Sequence, residues 1–441
     1  MIFDILLLAV QVVLLSLIVA KELLNRGKKN LVAVFFCAAH LVLVEGQALY
    51  VLYDLAQNSE PVFYASNVIT FRSFTLANTV LTISVLVIYI VHHLTAGRTP
   101  LSYRAKPPEY RETLFSYVVV IGLMLVACYL LINKLGGLRR FYYSMGVMVG
   151  GQVFLMILLS IGKLPLLGKI AASRKPNCLD WLLFSVAGLL ILLNSRGTAI
   201  LLVMQYLLLG YFCGRDTGTS GVFLKIAVVF FLVVIVYGGI RDFVTPRKTF
   251  EGLFEYYFTT RGPNEMKALG MGDLFFRFMI GPFAGLAGIL NTYIGGGVDH
   301  DFGISNLCLL THLIPYGIRA AVLPDIEGWL TSFFAVSGSV VPGGYEASFV
   351  HLGFAGIFIL SLFLGALPGL LHKRLVCPGA DRLKYAMLAV HLPNCLLVPL
   401  WFIIFWTLAE LSILFLYRLI LSAGMSFEHR QCTVRFAAPI R

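Results

Sequence analysis

Residues 68–92 read VITFRSFTLANTVLTISVLVIYIVH, a run with one full charge, Arg72, near its start. A helix needs roughly 20 predominantly apolar residues to cross the hydrocarbon core of a bilayer, and this run is long enough. It is flanked by others of the same kind, near 3–20, 31–54, 114–133, 143–163, 180–194, 198–213, 222–240 and 352–372. The apolar block 385–423 has room for a hairpin of two. The expectation is an all-α polytopic integral membrane protein with about eleven transmembrane helices. Composition agrees: 59% of residues are hydrophobic and 13% charged, with a mean hydropathy of +0.87, which excludes a soluble globular domain.

The net charge of +12 would point to nucleic acid in a soluble chain. Here it orients loops, because Lys and Arg accumulate on the cytoplasmic side. Lys21, Arg26, Lys28 and Lys29 form one cluster, and Arg98, Arg104, Lys106 and Arg111 a second. Lys163, Lys169, Arg174 and Lys175 form a third, and Lys373, Arg374, Arg382 and Lys384 a fourth. These fall on alternate loops and share one side. Arg430, Arg435 and Arg441 place the C-terminal tail there as well, whereas Lys134, Arg139 and Arg140 fall on the other side. The first apolar run has no basic lead and no small-residue cleavage site, so it reads as a retained span. The eight cysteines show no paired spacing, which argues against a disulfide-stapled ectodomain or a C-x-x-C metal site. Walker A, dinucleotide and H-E-x-x-H motifs do not occur, so no cofactor is expected.

Between spans eight and nine lies the stretch 241–351, far longer than an ordinary connector, and such loops are usually functional. The expected organisation is a bundle over 1–240, an outward loop over 241–351 with short amphipathic or re-entrant helices, further spans over 352–424 and a cytoplasmic tail over 425–441. The loop holds seven Lys/Arg against ten Asp/Glu, so it is no basic patch. Its arginines matter singly. Asp273-Leu-Phe-Phe-Arg277 opens a Gly-rich apolar run, 278–290, that suits an interfacial or re-entrant helix. Asp299-His300-Asp301 follows, then Ile314–Arg319, then a Gly/Pro-rich approach to Glu346 and His351. Arg196, in Ser195-Arg196-Gly197, sits at the outward tip of the short sixth–seventh hairpin. A guanidinium offers a planar fork of donors suited to phosphate or pyrophosphate. The plainer role is snorkelling to headgroups. Glu45 and Arg72, toward the outer ends of spans two and three, suggest a structural ion pair.

A loop of this kind suits glycosyl transfer from a lipid pyrophosphate. Arg196, Arg241, Arg277 and Arg319 would stabilise charge growing on the departing pyrophosphate. Glu346, Asp299, His300 or His351 would take the proton from an attacking hydroxyl, although each also reads as an ordinary loop residue. Asp299-His300-Asp301 is a weak metal signal.

The order of these parts resembles the Wzy polymerases, which join oligosaccharide repeat units of O-antigen and related glycans. The small-residue–Arg step at Ser195-Arg196-Gly197, Arg277 leading into the apolar segment up to Leu290, Ile314–Arg319, and the stretch Pro342–Gly356 carry the resemblance. One departure is the region Trp401–Glu410, where the family pattern has an outward arginine and this chain offers only Glu410. The resemblance implies a transfer at the outer face of a bacterial inner membrane. A growing glycan would leave undecaprenyl pyrophosphate for a new lipid-linked repeat unit, with no nucleotide sugar. Implied partners are the undecaprenyl-pyrophosphate-linked oligosaccharide, a chain-length regulator, a repeat-unit flippase and the lipid bilayer, and no nucleic acid.

Three other activities compete. An O-antigen ligase shares the architecture. A flippase or secondary transporter requires polar groups along several spans, whereas the sequence concentrates them at the outer rim. A membrane acyltransferase requires a histidine at depth, and His40, His92, His93 and His391 show no evident partner in the sequence.

Overall fold

The computed structural model describes residues 1–24, 29–57, 61–64, 67–96, 110–134, 158–194, 196–213, 282–297, 300, 343–377, 380–397 and 400–437. Predicted span 222–240, most of 143–163, and Arg241, Arg277, Arg319 and Asp299 lie outside these residues.

The described chain is mostly helical, and five helices are long and apolar enough to cross a membrane. The first is α1 (Ile2–Leu24), with Asp4 in its first turn and Lys21 in its last, the charge order that complements a helix dipole. The second span is composite: α2 (Leu31–His40), a π-helical turn (Leu41–Glu45) and α3 (Gly46–Gln57). Asn30 starts it by accepting a hydrogen bond from Ala33 N–H at 3.1 Å, a side-chain cap. A small antiparallel hairpin, β1 (Val62–Tyr64) and β2 (Asn67–Ile69), with Val62 opposite Ile69, leads into α4 (Phe71–Ala96). This hairpin departs from the all-helical expectation.

Then come α5 (Leu114–Lys134), α6 (Leu164–Ala171) and the short apolar helices α7 (Cys178–Asn194) and α8 (Arg196–Phe212). The last two form the tight pair expected around Ser195. Reciprocal caps start α5 and α7: Thr113 with Ser116, and Asn177 with Asp180. Downstream lie α9 (Pro282–Ile294), α10 (Gly344–Val376), α11 (Arg382–Val390), α12 (Asn394–Leu397) and α13 (Leu400–Ala437).

The block 385–423 folds as an antiparallel pair, of which one member, within α13, is a helix long and apolar enough to cross a membrane. Asp381 pairs with Arg418 and His391 Nε2 lies 3.3 Å from Glu410 Oε2, so the two halves of the block run antiparallel. The first is broken into α11 of nine residues, about 14 Å at 1.5 Å per residue, and α12; the second is formed by the long helix α13.

Among the described helices α4 is central, packed on α1, α9 and α10. It runs parallel to α1: Asn78 Nδ2 donates to Asp4 O at 2.9 Å near one end, and His92 Nε2 lies 2.9 Å from Glu22 Oε1 near the other. It also runs parallel to the second part of α10. Ser84 and Ser361 hydroxyls are 2.6 Å apart, and further along Lys373 Nζ donates to Thr95 O. Close approach here depends on Gly365 and Gly369. A Cβ on Gly365 would stand 2.9 Å from Ile88 O, and one on Gly369 3.0 Å from Thr95 Oγ1. Two glycines four apart let helix backbones meet, the usual solution where lipid supplies no hydrophobic drive between helices.

Outward faces are apolar instead of polar. Ile2, Leu6, Val13 and Leu17 on α1, Leu86 and Ile90 on α4, and Phe358 and Phe363 on α10 are exposed. Gln11, Asn78, His40 and Gln205 are buried. In water this arrangement would forfeit roughly 25 cal/mol per Å² of exposed apolar surface; in lipid it costs nothing comparable. The chain is therefore read as membrane-embedded. One end of the bundle carries Lys21, Lys169, Lys373 and Arg374, and is called the basic end below. The other carries the β-hairpin, Arg72 and α9, and is called the loop end.

Candidate functional site

At the loop end the described part of the 241–351 stretch folds back into the bundle. The described part of the run 278–290, residues 282–290, lies in α9, whose thirteen described residues are mostly buried. Its first turn is held from outside, since Ala284 N–H donates to Gln47 Oε1 at 2.9 Å. The start of α10 meets it there. A Cβ on Gly343 would lie 3.3 Å from Pro282 Cα and 3.1 Å from Leu396 O, so glycine eases the approach and a larger residue would require its neighbours to give by a few tenths of an ångström.

The long helix α10 is broken. Leu352 (φ −135°, ψ 15°) and Gly353 (φ 60°, ψ −145°) leave helical geometry. The Gly353 conformation belongs to a region that is essentially glycine-only. The chain doubles back there, so arm 344–351 lies against the 23-residue arm 354–376. A Cβ on Gly356 would collide with Ser348 O. Short arms of this kind, buried in protein, are the form that re-entrant backbone takes at membrane depth.

Glu346 sits in the first turn of the short arm, 7% exposed. Its Oε2 accepts from Gly343 N–H at 3.3 Å and its carboxylate lies against Gly285 of α9. The beginnings of two helices thus surround it, and their dipoles favour a negative charge at that position. His300 meets the other end of the same arm. Its Nδ1 is 3.3 Å from Val350 O, its ring packs on Phe349 and Tyr293, and a Cβ on Gly353 would stand 3.2 Å from its Nε2. The arm therefore brings two of the expected base candidates into one assembly. Arg196 opens α8, but its side chain lies outside the described residues.

Glu45 does not pair with Arg72. The π turn places residues five apart on one face, so His40 Nδ1 lies 2.9 and 3.0 Å from the two Glu45 oxygens. His40 Nε2 is 2.8 Å from the Tyr345 hydroxyl, which accepts from Ser84 Oγ at 3.1 Å. With Nδ1–H donating to Glu45, Nε2 accepts the tyrosine proton and the chain of bonds closes. His40 and Tyr345 are wholly buried. Both ring nitrogens are occupied, so this group locks the short arm of α10 to the second span. π turns recur at functional sites, and here the turn fixes the position of Glu346, one residue beyond Tyr345.

Arg72 is exposed and lines a pocket of about 1090 Å³ between the first turns of α1 and α4 and the end of α9. Met1, Asp4, Phe71, Thr75, Thr79 and Tyr293 contribute to its wall. Tyr293 connects the pocket to His300 and Phe349 through ring contacts at 6.3 and 5.3 Å.

Polar groups also occur well inside the bundle, contrary to the expectation that they gather at the outer rim. Lys163, assigned by sequence to a loop cluster, is buried, with Nζ 2.5 Å from Glu410 Oε1. Gln205 Nε2 donates to both Glu410 oxygens at 3.0 and 2.9 Å, and His391 Nε2 is 3.3 Å from Oε2. His40, His92 and His391 each have a carboxylate partner (Glu45, Glu22 and Glu410), which corrects the reading of these histidines as partnerless.

At the basic end, Lys169 Nζ lies 2.7 Å from Asp180 Oδ2 and 3.8 Å from Glu112 Oε2, and donates to the Tyr117 hydroxyl at 2.7 Å. Burial pulls the Lys169 ammonium down, but its bonds to Asp180 and Tyr117 outweigh that and raise its pKa. Burial pushes the Glu112 carboxyl above its ordinary value, against the pull of a backbone hydrogen bond and of Lys169. A carboxyl raised on folding contributes stability that is present below its unfolded pKa and lost as pH rises through its folded pKa. Glu112→Gln should therefore raise the melting temperature at neutral pH and leave it little changed at low pH. Melting curves of the purified chain across pH 4–8 check this; equal shifts at every pH would refute it.

Among the described residues no group of three or more His, Cys, Asp or Glu is placed to hold a metal. Asp301, like Asp299, lies outside the described residues. Compared with known proteins, the chain matches no family model, no curated protein and no solved structure.

Proposed function

We propose that the chain polymerises lipid-linked oligosaccharide repeat units, transferring a glycan from undecaprenyl pyrophosphate to a new lipid-linked unit at the outer face of a bacterial inner membrane. The observation that carries this reading is the loop-end pocket. It combines a guanidinium, a carboxylate and two threonine hydroxyls at the rim of a bundle whose outer faces are apolar. Such a site suits an anionic, hydroxyl-rich head on a long apolar tail. The glycan would approach from the 241–351 stretch and the prenyl chain from the bilayer. Arg196, Arg241, Arg277 and Arg319 remain the proposed pyrophosphate clamp, with Glu346, Asp299 and His300 as proposed bases. The motifs shared with the Wzy polymerases support the same chemistry.

A deletion strain examined by polysaccharide gel tests it. Loss of the long-chain ladder with survival of a single-repeat band is expected. Complete loss of glycan-capped lipid A would indicate a ligase instead. Alanine at Arg196, Arg277 or Arg319 should shorten the ladder, and lysine should restore it only partly, because a point charge cannot reproduce a two-pronged contact.

One observation favours a second reading. Buried charges such as Lys163 and Glu410, together with helix beginnings that meet inside the protein at Pro282 and Gly343, are features of transporters. Movement of lipid-linked substrate across vesicles without glycan elongation would select that reading.

A further inference from the structure

Asp4, one of the residues that line the loop-end pocket, carries a buried carboxylate oxygen with no donor among the described residues. Asp4 is 2% exposed. Its Oδ2 lies 3.0 Å from the Met1 nitrogen, while Oδ1 has no hydrogen-bond partner among the described residues. Buried polar atoms in native proteins are nearly always paired, and the exceptions call for an explanation such as a ligand. Here the residue lines a pocket of about 1090 Å³ together with Arg72. None of the other polar groups in the wall makes a hydrogen bond to it. Thr79 Oγ1 spends its proton on Thr75 O at 2.8 Å, leaving only acceptor capacity. Two turns deeper on the same helix, Gln11 Oε1 is also without a donor among the described residues, because Gln11 Nε2 is turned toward Asn78 and Thr82.

A ligand complementary to this wall must supply hydrogen-bond donors to Asp4 and negative charge to Arg72. A bare phosphate supplies only the second and would be repelled by the carboxylate. An ammonium or simple polyol supplies only the first. A phosphate ester with a donor close to the phosphorus satisfies both. Two sources fit that description, a sugar on a polyprenyl phosphate and the headgroup of phosphatidylethanolamine.

We propose that this pocket, between α1, α4 and α9, binds the head of a phosphate-ester lipid, with Arg72 on the phosphate and Asp4 Oδ1 accepting a hydrogen bond from the attached group. That the attached group is a sugar rests on the polymerase reading; the pocket assignment does not. Donor-rich substrate is then favoured over the sugar-free carrier by one hydrogen bond to a charged oxygen, so the site distinguishes a loaded lipid carrier from an empty one.

Native mass spectrometry of the purified full chain in detergent tests this with three lipids: undecaprenyl phosphate, undecaprenyl phosphate glucose and phosphatidylethanolamine. The wild type should hold the glucosylated lipid about 10-fold more tightly than undecaprenyl phosphate, equivalent to about 1.4 kcal/mol. Arg72→Ala should weaken both polyprenyl lipids about 10-fold. Arg72 is exposed, so this variant does not threaten the fold. Asp4→Asn should remove the preference for the glucosylated lipid and leave undecaprenyl phosphate binding unchanged or stronger, a contrast that a general folding defect cannot produce. Unchanged affinities in the Arg72 variant would overturn the pocket assignment, and so would a preference that survives in Asp4→Asn. Tighter binding of phosphatidylethanolamine, lost in both variants, would overturn the sugar assignment and make this a bilayer headgroup site. Intact lipid preferences in a protein that builds no polymer would refute the polymerase reading and leave the pocket standing.

Discussion

Glu410→Ala should melt at a much lower temperature than the wild-type chain, with a loss of about 3–5 kcal/mol, the usual cost of breaking a buried ion pair from one side. The alanine leaves Lys163 buried without its counter-charge and removes the acceptor for both bonds from Gln205. It also removes the carboxylate beside His391. These partners come from three separate places, the turn before α6, α8 and the turn after α11, and all converge on α13, so the defect should spread beyond one helix contact. Replacing both charges by apolar residues of similar size, Lys163→Met with Glu410→Leu, should recover most of the loss, because such pairs cost nearly as much to desolvate as they return. Thermal unfolding of the purified chain in detergent measures all three proteins. A Glu410→Ala midpoint equal to wild type would show that the cluster does not hold these helices together. The same double variant bears on function. Full glycan polymerisation by it would leave the buried pair a structural tie, whereas a transporter using that charge would be inactivated.

On the polymerase reading proposed above, Gly356→Val should abolish polymer synthesis while leaving the protein in the membrane. Valine there would drive its Cβ into Ser348 O and crowd Leu352 Cβ, 3.1 Å from the same position. The obstacle is backbone on a helix that cannot yield locally, so the short arm of α10 must swing away from the long one. Overpacking typically costs about 1–3 kcal/mol, and here a larger functional loss follows. Displacing arm 344–351 pulls Tyr345 from His40 and Ser84, and Glu346 from Gly285. It also removes the packing of Phe349 and Val350 on His300. A displacement of about 1 Å at a reacting group can cost 10²-fold in rate. Ladder length on a polysaccharide gel, with membrane abundance checked by immunoblot, provides the measurement. A normal ladder from Gly356→Val would mean that closure of the arm is irrelevant to activity.

How much of this was legible differs from region to region. Apolar length placed α1, α4, α5, α7 and α8 within a few residues, because a span is specified by continuous hydrophobicity and little else. The run 278–290 reads as too Gly-rich for a span; its described part, 282–290, lies in α9, where Gly285 receives Glu346. In the C-terminal block, apolar length foresaw room for two antiparallel members but not the break in the first. His391-Leu392-Pro393 interrupts the first member after nine helical residues.

The polar interior was hidden for two other reasons. His40 and Glu45 are five apart, a spacing that an α-helix places on different faces and only a π turn aligns. Lys163 looked like a loop charge because its partner, Glu410, lies 247 residues away. Glu410 alone did carry a signal, since an acid isolated in an apolar run is functional or paired by default. Asp4 was overlooked for the opposite reason. An acid in the first turn of a helix is commonplace, and only its unpartnered oxygen, on a residue lining the same pocket as Arg72, sets it apart.

The most direct test of the central claim is elongation by the pure protein. The full chain in liposomes, supplied with an undecaprenyl-pyrophosphate-linked repeat unit and no nucleotide sugar, should convert it into a ladder of longer glycans. One undecaprenyl pyrophosphate should be released for each new linkage. A substrate that stays a single repeat unit while redistributing across the bilayer would contradict the account and identify a transporter.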